Sequence, residues 1–466
     1  MIGQVNMKHF QFKALYQDNE WVAPAYVSVD QEGKIAYLSA TPPDSITNIE
    51  KVDGYALPGF QNAHSHAFQY AMAGIAERHS GTANPDDFWS WRNAMYQLAL
   101  NVQPEQMEAI AAMLYAEMVR HGYTSVAEFH YVHHDLTGKP YSNKAALGER
   151  LIAAAQKAGI RITLVPIFYQ KGGFGQAPTK GQQRFISPDM DSYLDLLEQS
   201  QKAARPYAHA SVGAGIHSLR AVAPEVIKAT CENLPTDIPI HIHVAEQLKE
   251  IEDAKVYLGA RPVEWLLNNL TLNENYHLVH ATHLTEAEVS GLAKKRANVV
   301  ICPSTEGNLG DGLFPLASFQ AQDGQWSIGT DSHIGLNPLE ELRWLDYGQR
   351  VTTHKRNSFY SPQQTDSGRY ALAMATFAGR RAMGHHTNEF FQIGDHFDAV
   401  VMDANFPLFA ITSLDNLLST IVYAGDCTAT LGTIVNGQWV VQQQRHHAYQ
   451  DIVADFKQVI ASLEYR

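Results

Sequence analysis

The sequence is poor in cysteine: Cys231, Cys302 and Cys427 are the only three in 466 residues. They are odd in number and far apart, which excludes a disulfide framework and a CxxC-type zinc site and fits a reducing compartment. Long apolar runs are missing as well. No stretch reaches the ~18 residues that a membrane-spanning helix needs, and the opening MIGQVNMKHF has no apolar core of signal-peptide type. The expectation is a soluble, cytoplasmic protein with no membrane partner. Positive charge is not concentrated anywhere. The 35 Lys and Arg are outnumbered by 48 Asp and Glu, for a formal net charge of −13, and no basic run stands out, which speaks against nucleic acid as a partner. Repeats and low-complexity tracts are absent too.

What is present is a chain with two β-rich ends and an alternating middle. The length exceeds one ordinary barrel of roughly 250 residues, so an accessory domain is expected. Near the start, AYVSVD and KIAYLSA flank the turn QEG; near the end, FDAVVMDA, STIVYAG and GTIVNGQWVV read the same way. Asn436-Gly437 between apolar runs is a strong hairpin signal. In the middle, helical spacing of Met107, Ile110, Leu114 and Met118 predicts a helix opened by Pro104 and closed at Gly122. Thr285 and Glu288 form a candidate capping box. Short apolar runs (YALPGF, TSVAEF, RITLVPIFY, SVGAGIH, IPIHIHV, YHLVH, NVVICP and WSIGTD) alternate with helical patterns and number about eight, as a parallel (β/α)8 barrel requires. A doubly wound open sheet is the rival. The resulting architecture is α/β: a (β/α)8 TIM-like barrel over 56–390, with a small β-sandwich domain built from 1–55 and 391–466, the latter carrying a C-terminal helix.

The polar residues fall at strand ends. His64 and His66 follow ALPGF, and His217, His243, His280 and Asp331 each end or follow another apolar run. In a barrel these ends converge on one mouth, where the chemistry sits. His64 and His66 at i, i+2 share a side of an extended segment. Imidazoles and a carboxylate suit Zn²⁺ or a similar ion. A lone HxH is a weak signal that more often reads as two surface or hydrogen-bonded histidines after a turn; the further strand-end residues turn it into a metal-site pattern. Glu246, three residues after His243, reaches the same mouth as a proton carrier, although a Glu there also reads as a helix N-terminal charge. His241 shares a face with His243, and spacing does not decide between them. His277 and His283 read as structural. Arg220 lies three residues past His217. Arg92, flanked by Trp89 and Trp91, reads by itself as a cation–π or salt-bridge residue, and Gln69 and Tyr131 as ordinary polar groups at the core edge.

Taken in order, PGFQNAHSHAFQ, HIHVAEQ, HLVHATH and GTDSHI resemble the amidohydrolase superfamily along the whole chain, including the late GDHFDAVVMD segment. The end of the fourth strand candidate carries His217 where two-metal members carry a bridging lysine, so the resemblance is to the single-metal deaminase branch. It implies one zinc per chain, with Fe²⁺ or Mn²⁺ suiting the same donors, held by His64, His66, His243 and Asp331. It further implies His280 beside the reactive water, Glu246 as proton shuttle, and a homodimer. Whether His280 or Asp331 is the general base stays open. NAHSHAFQYAMAG, FWSWR, EFHYVHH, HSLRAV and CPSTEGNLGDG resemble members that deiminate N-formimino-L-glutamate, giving N-formyl-L-glutamate and ammonia in histidine degradation. In those members the residues matching Gln69, Arg92, Tyr131 and Arg220 bind the carboxylates, and His217 lies near the reacting centre. Tyr70 departs from the arginine of that pattern. The segment KGGFGQAPTKGQQRF resembles a loop near the substrate. The alternatives are a deaminase of an aromatic base or nucleoside and, from a different class, a catalytically dead barrel acting as a scaffold.

Overall fold

The computed structural model describes residues 7–44, 48–77 and 88–463, with the side chains of Trp89 and Ser90 outside the description. Eight parallel strands form the barrel: Phe60–Ser65, Tyr123–His130, Arg161–Phe168, Ala214–Ser218, Ile240–Val244, Tyr276–His280, Asn298–Ile301 and Gln325–Ile328. Each pairs with the next along the chain. Helices cover the outside and side chains fill the inside, so every residue of the second and fifth strands is buried. Such double burial is why Arg161–Phe168 and Asn298–Ile301 read as near-continuous apolar runs rather than as alternation.

The ring closes between its first and last strands. Ser65 bridges Asp331 in parallel. The carbonyl of His64 accepts from the N–H groups of Thr330 (3.1 Å) and Asp331 (3.0 Å), and the His66 N–H donates to Asp331 O at 3.2 Å. Asn62, fully buried, reinforces the seam from below. Its amide donates to Thr330 Oγ1 at 2.8 Å and its oxygen accepts from Thr330 N–H at 3.1 Å.

The termini share one nine-stranded sheet. Lys8–Gln17 runs beside Glu50–Pro58, which pairs antiparallel with Ala399–Asp403; Thr430–Val435 and Gln438–Gln442 follow. This sheet folds over its own core of Phe10, Phe12, Phe397, Val401 and Ile434. The expected hairpin lies in it, with both Asn436 (φ 54°) and Gly437 (φ 68°) left-handed as a type I′ turn requires. The YALPGF run divides differently from its reading as one barrel strand. Tyr55–Pro58 pair with the terminal sheet, and the barrel begins at Phe60. Gly59 makes that handover, because a Cβ there would meet the Thr124 side chain at 2.2 Å.

Local signals behave as their physics dictates. The helix Pro104–Arg120 starts with its proline and is followed by Gly122 at φ 93°, and Met107, Ile110, Leu114 and Met118 are buried. The box at Thr285 is closed in both directions: Glu288 N–H donates to Thr285 Oγ1, and Thr285 N–H donates to the Glu288 carboxylate. Among the described residues no helix is long and apolar enough to cross a membrane.

Replacing Asn62 with Ala removes both seam bonds, takes the donor from the buried Thr330 Oγ1 and leaves the Thr330 N–H with the His64 carbonyl alone. The expected cost is about 2–3 kcal/mol, read as a lower urea midpoint. An unchanged midpoint would show that the closure does not depend on this side chain.

Candidate active site

The C-terminal strand ends bring together residues that lie far apart in sequence. The Nε2 atoms of His64 and His66 approach to 3.1 Å, and His243 Nε2 lies 3.1 Å from His64 Nε2. Asp331 Oδ1 completes the group, 3.3 Å from His66 Nε2 and 3.7 Å from His64 Nε2. His66 Nδ1 sits 3.0 Å from the Phe129 carbonyl. A carbonyl only accepts, so the His66 proton is on Nδ1 and a lone pair is on Nε2. Burial, then the neighbouring imidazoles, holds His64 and His243 well below the usual histidine range, and burial takes His66 down to about 3. Three neutral imidazoles with one carboxylate oxygen, converging within hydrogen-bonding distances yet short of protons to share, fit a divalent cation. The turn between His64 and His66 is held from outside. Glu128 accepts from Ser65 Oγ and Ala67 N–H, both at 2.6 Å, and burial pushes its carboxyl up to about 7.

A second group faces the first. His280 ends the sixth strand in a left-handed conformation (φ 70°), and Asp331 does the same after the eighth (φ 45°). His280 Nδ1 lies 3.2 Å from Glu306 Oε1, which leaves Nε2 facing Asp331 Oδ2 at 3.5 Å and Glu246 Oε1 at 3.8 Å. Burial lowers the His280 pKa, but Glu246, Glu306 and Asp331 outweigh it and raise it to about 10. Burial likewise pushes Asp331 up to about 7 against the pull of His280. A dication among these groups favours the opposite charges, an ionised Asp331 and a neutral His280. Glu246 sits on a turn where Ala245 has φ 54°. Buried Glu250 accepts from the N–H groups of Ala245 (3.3 Å) and Glu246 (3.1 Å) and pins that turn. Arg220 NH2 stands 3.7 Å from Glu246 Oε2.

Both groups open on one cavity of about 660 Å³. His66, His243, Glu246, His280 and Asp331 line it, and so do Gln69, Arg92, Tyr131, His217 and Arg220; His64 lies beneath, fully buried. Gln69 Nε2 donates to Tyr131 Oη at 3.0 Å, while Gln69 Oε1 is buried with no partner among the described residues. The His217 ring packs on Tyr169, with centroids 4.4 Å apart. Arg92 lies over the Tyr96 ring at 5.4 Å; the Trp89 side chain expected beside it is outside the described residues. Phe174 and Gln176 bring the loop after the third strand to the cavity wall.

Other candidates fall elsewhere. His241 turns to the Ala382 carbonyl (3.0 Å) and stacks on His277 lower in the barrel. His277 contacts Asn298 at 3.1 Å, and His283 is not among the cavity-lining residues. Tyr70 packs against Phe456 of the C-terminal helix. Sequence reasoning assigned nothing to Glu128, Glu250, Glu306 or Tyr169. The strand-end rule that found the histidines applies equally to Tyr169 and to Glu306, which follow the third and seventh strands. Glu250 carries no such signal, since a glutamate in a first helical turn is common.

Residues 55–440 match the amidohydrolase family. Over 445 residues the chain is 42% identical to the formimidoylglutamate deiminase of Pseudomonas aeruginosa, covering 95% of this chain and 96% of that protein. The fold superposes on the crystal structure of an amidohydrolase from Brucella melitensis with a TM-score of 0.91 at 36% identity, over 98% of this chain and 99% of the other. The crystal structure of an adenosine deaminase from Xanthomonas campestris with bound zinc shares the fold, with a TM-score of 0.79 at 20% identity over 98% of each chain.

If the imidazoles hold a cation, His243→Ala weakens metal retention. Losing even an outer partner of a ligand costs about 10–100-fold in affinity, and losing a ligand costs more. Elemental analysis after dialysis reads this directly. Full metal content in the variant would move the site elsewhere.

Proposed function

This chain belongs to the amidohydrolase family, and we propose that within it the protein hydrolyses N-formimino-L-glutamate to N-formyl-L-glutamate and ammonia, a step of histidine degradation. The observation that carries this reading is one cavity with two chemistries in its walls: a metal-type donor set, and the arginines Arg92 and Arg220. A dicarboxylate needs fixed cationic partners, and guanidinium offers a planar fork for each carboxylate. Identity of 42% over nearly the whole length to a protein named for that deimination supports the substrate. The same reading carries a cytoplasmic homodimer.

We assign to His64, His66, His243 and Asp331 the holding of one divalent cation, zinc first, with iron or manganese suiting the same donors. Bound there, it would supply Lewis acidity that brings the pKa of a water to about 7. The chain's own groups supply the proton handling. Asp331 Oδ2 and His280 Nε2, 3.5 Å apart, accept the proton of the attacking water between them. Glu306 at Nδ1 keeps the His280 lone pair on Nε2, toward the reacting space. Attack on the formimino carbon gives a tetrahedral adduct. Glu246, 3.8 Å from His280 Nε2, carries a proton to the departing nitrogen, so ammonia leaves rather than amide anion. His217 hydrogen-bonds the substrate near the reacting carbon. Arg92, Arg220, Gln69 and Tyr131 fix the carboxylates, which matters because the gain from proximity falls steeply with misplacement.

Ammonia release measured on N-formimino-L-glutamate, guanine and adenosine analogues separates the readings, and preference for a nucleobase would overturn this one. Glu246→Gln should keep its metal and lose about 10²–10⁴ in kcat; a near-normal rate would remove Glu246 from proton transfer. Arg220→Ala should lower kcat/KM about 30-fold or more, chiefly through KM. An unchanged kcat/KM would take Arg220 out of the site.

A further inference from the structure

Two phenols in the cavity wall and a buried amide behind them have no part in the reaction above. Tyr169 directly follows the third barrel strand, and Tyr96 stands on the helix Phe88–Asn101. Both line the cavity, at 5% and 7% exposure. Beside them lies Gln182, itself 1% exposed. Chemistry fixes how this amide is turned. Its Oε1 lies 2.8 Å from Thr179 N and 3.0 Å from Thr179 Oγ1, and a backbone N–H only donates, so the oxygen must face it. Nε2 therefore points the other way, to Tyr169 Oη at 2.8 Å, Tyr96 Oη at 3.2 Å and the Gly172 carbonyl at 3.2 Å.

An amide NH2 has no lone pair to offer. Toward Gln182 both phenol oxygens are acceptors, and both keep their protons for other partners. The two hydroxyls flank the same amide nitrogen, so even a bond between them would use only one proton of the two. Among the described residues no other acceptor engages either hydroxyl. One phenolic O–H is left over at the cavity wall. Its surroundings are cationic: Arg92 lies over the Tyr96 ring, and Arg220 lines the same cavity.

We propose that Tyr169 and Tyr96, oriented by Gln182, form a further carboxylate-binding element, in which the unshared phenolic O–H donates to the substrate carboxylate that Arg220 holds. The proposal rests on the substrate class argued above. The guanidinium supplies charge, and the phenol supplies a neutral donor at a set position. A ligand lacking that carboxylate leaves the O–H buried and unpaired, which is the stronger form of discrimination. Gln182 is then a positioning residue that also ties the loop after the third strand to the site.

Tyr169→Phe, Tyr96→Phe and Gln182→Glu test this, each checked by circular dichroism and metal content. Gln182→Glu keeps the acceptor for Thr179 but turns the donor face into a second acceptor, drawing the phenolic protons away from the cavity. At least one Phe variant and Gln182→Glu should raise KM for N-formimino-L-glutamate about 10- to 100-fold, the range for one hydrogen bond to a charged group, with kcat much less affected. In an Arg220→Ala background the same Phe change should add little. Calorimetric Kd values for N-formyl-L-glutamate and glutarate should weaken in parallel. Unchanged KM and Kd in both Phe variants overturn the proposal, as does a loss confined to kcat. A wild-type protein that binds glutarate but releases no ammonia from N-formimino-L-glutamate sinks the substrate reading instead, and its glutarate affinity still reports on the phenols.

Discussion

The site depends on the closure of the barrel between its first and eighth strands. Asn62 and Thr330 stand 268 positions apart, yet they share two hydrogen bonds. One turn higher, the backbone of His64 and His66 is bonded to that of Thr330 and Asp331. Because these are main-chain bonds, the imidazoles and the carboxylate are set by the ring itself rather than by flexible side chains. His243 enters from the opposite wall, through a strand whose five residues are all buried. A packed barrel has little room to relax, so the three Nε2 atoms are held within reach of a single cation.

Around this point the protein buries several carboxylates, and each has a structural task. Glu128 holds the turn between His64 and His66, Glu306 orients His280 and caps the Cys302 N–H at 2.9 Å, and Glu250 fixes the turn carrying Glu246. A buried charge without partners is expensive; Glu128 and Glu250 are each engaged through both oxygens, and Glu306 holds two partners at Oε1. The net charge of −13 therefore says nothing about the substrate. Arg92 and Arg220 make part of the cavity wall cationic within an acidic protein, and it is local charge that a small anion meets.

Some of this was legible in the sequence for definite physical reasons. Asn436-Gly437 announces a type I′ hairpin because few other residues accept two left-handed positions in a row. Thr285 and Glu288 announce a helix start because the reciprocal bonds span three residues. His64, His66, His243, His280 and Asp331 stood out because polar groups at the ends of apolar runs have no place in a core unless they meet something. The YALPGF run was harder. Its apolar character suits either sheet, and only pairing with Val400 and Val401 assigns Leu57 and Ala56 to the terminal one. Gln182 and Glu250 were invisible for a different reason: glutamine and glutamate are common at such positions, and their meaning lies in what the folded chain sets beside them.

The sequence by itself determined the alternation of strands and helices, the split terminal domain and the set of residues able to carry metal and proton chemistry, since periodicity, turn chemistry and donor type are local properties. It also determined that His241 and His243 share one face, because side chains alternate along a strand. Which of them serves the site was decided only by the tertiary structure. Height within the barrel depends on the stagger of neighbouring strands, and that stagger puts His241 against His277 and Ala382, and His243 beside His64.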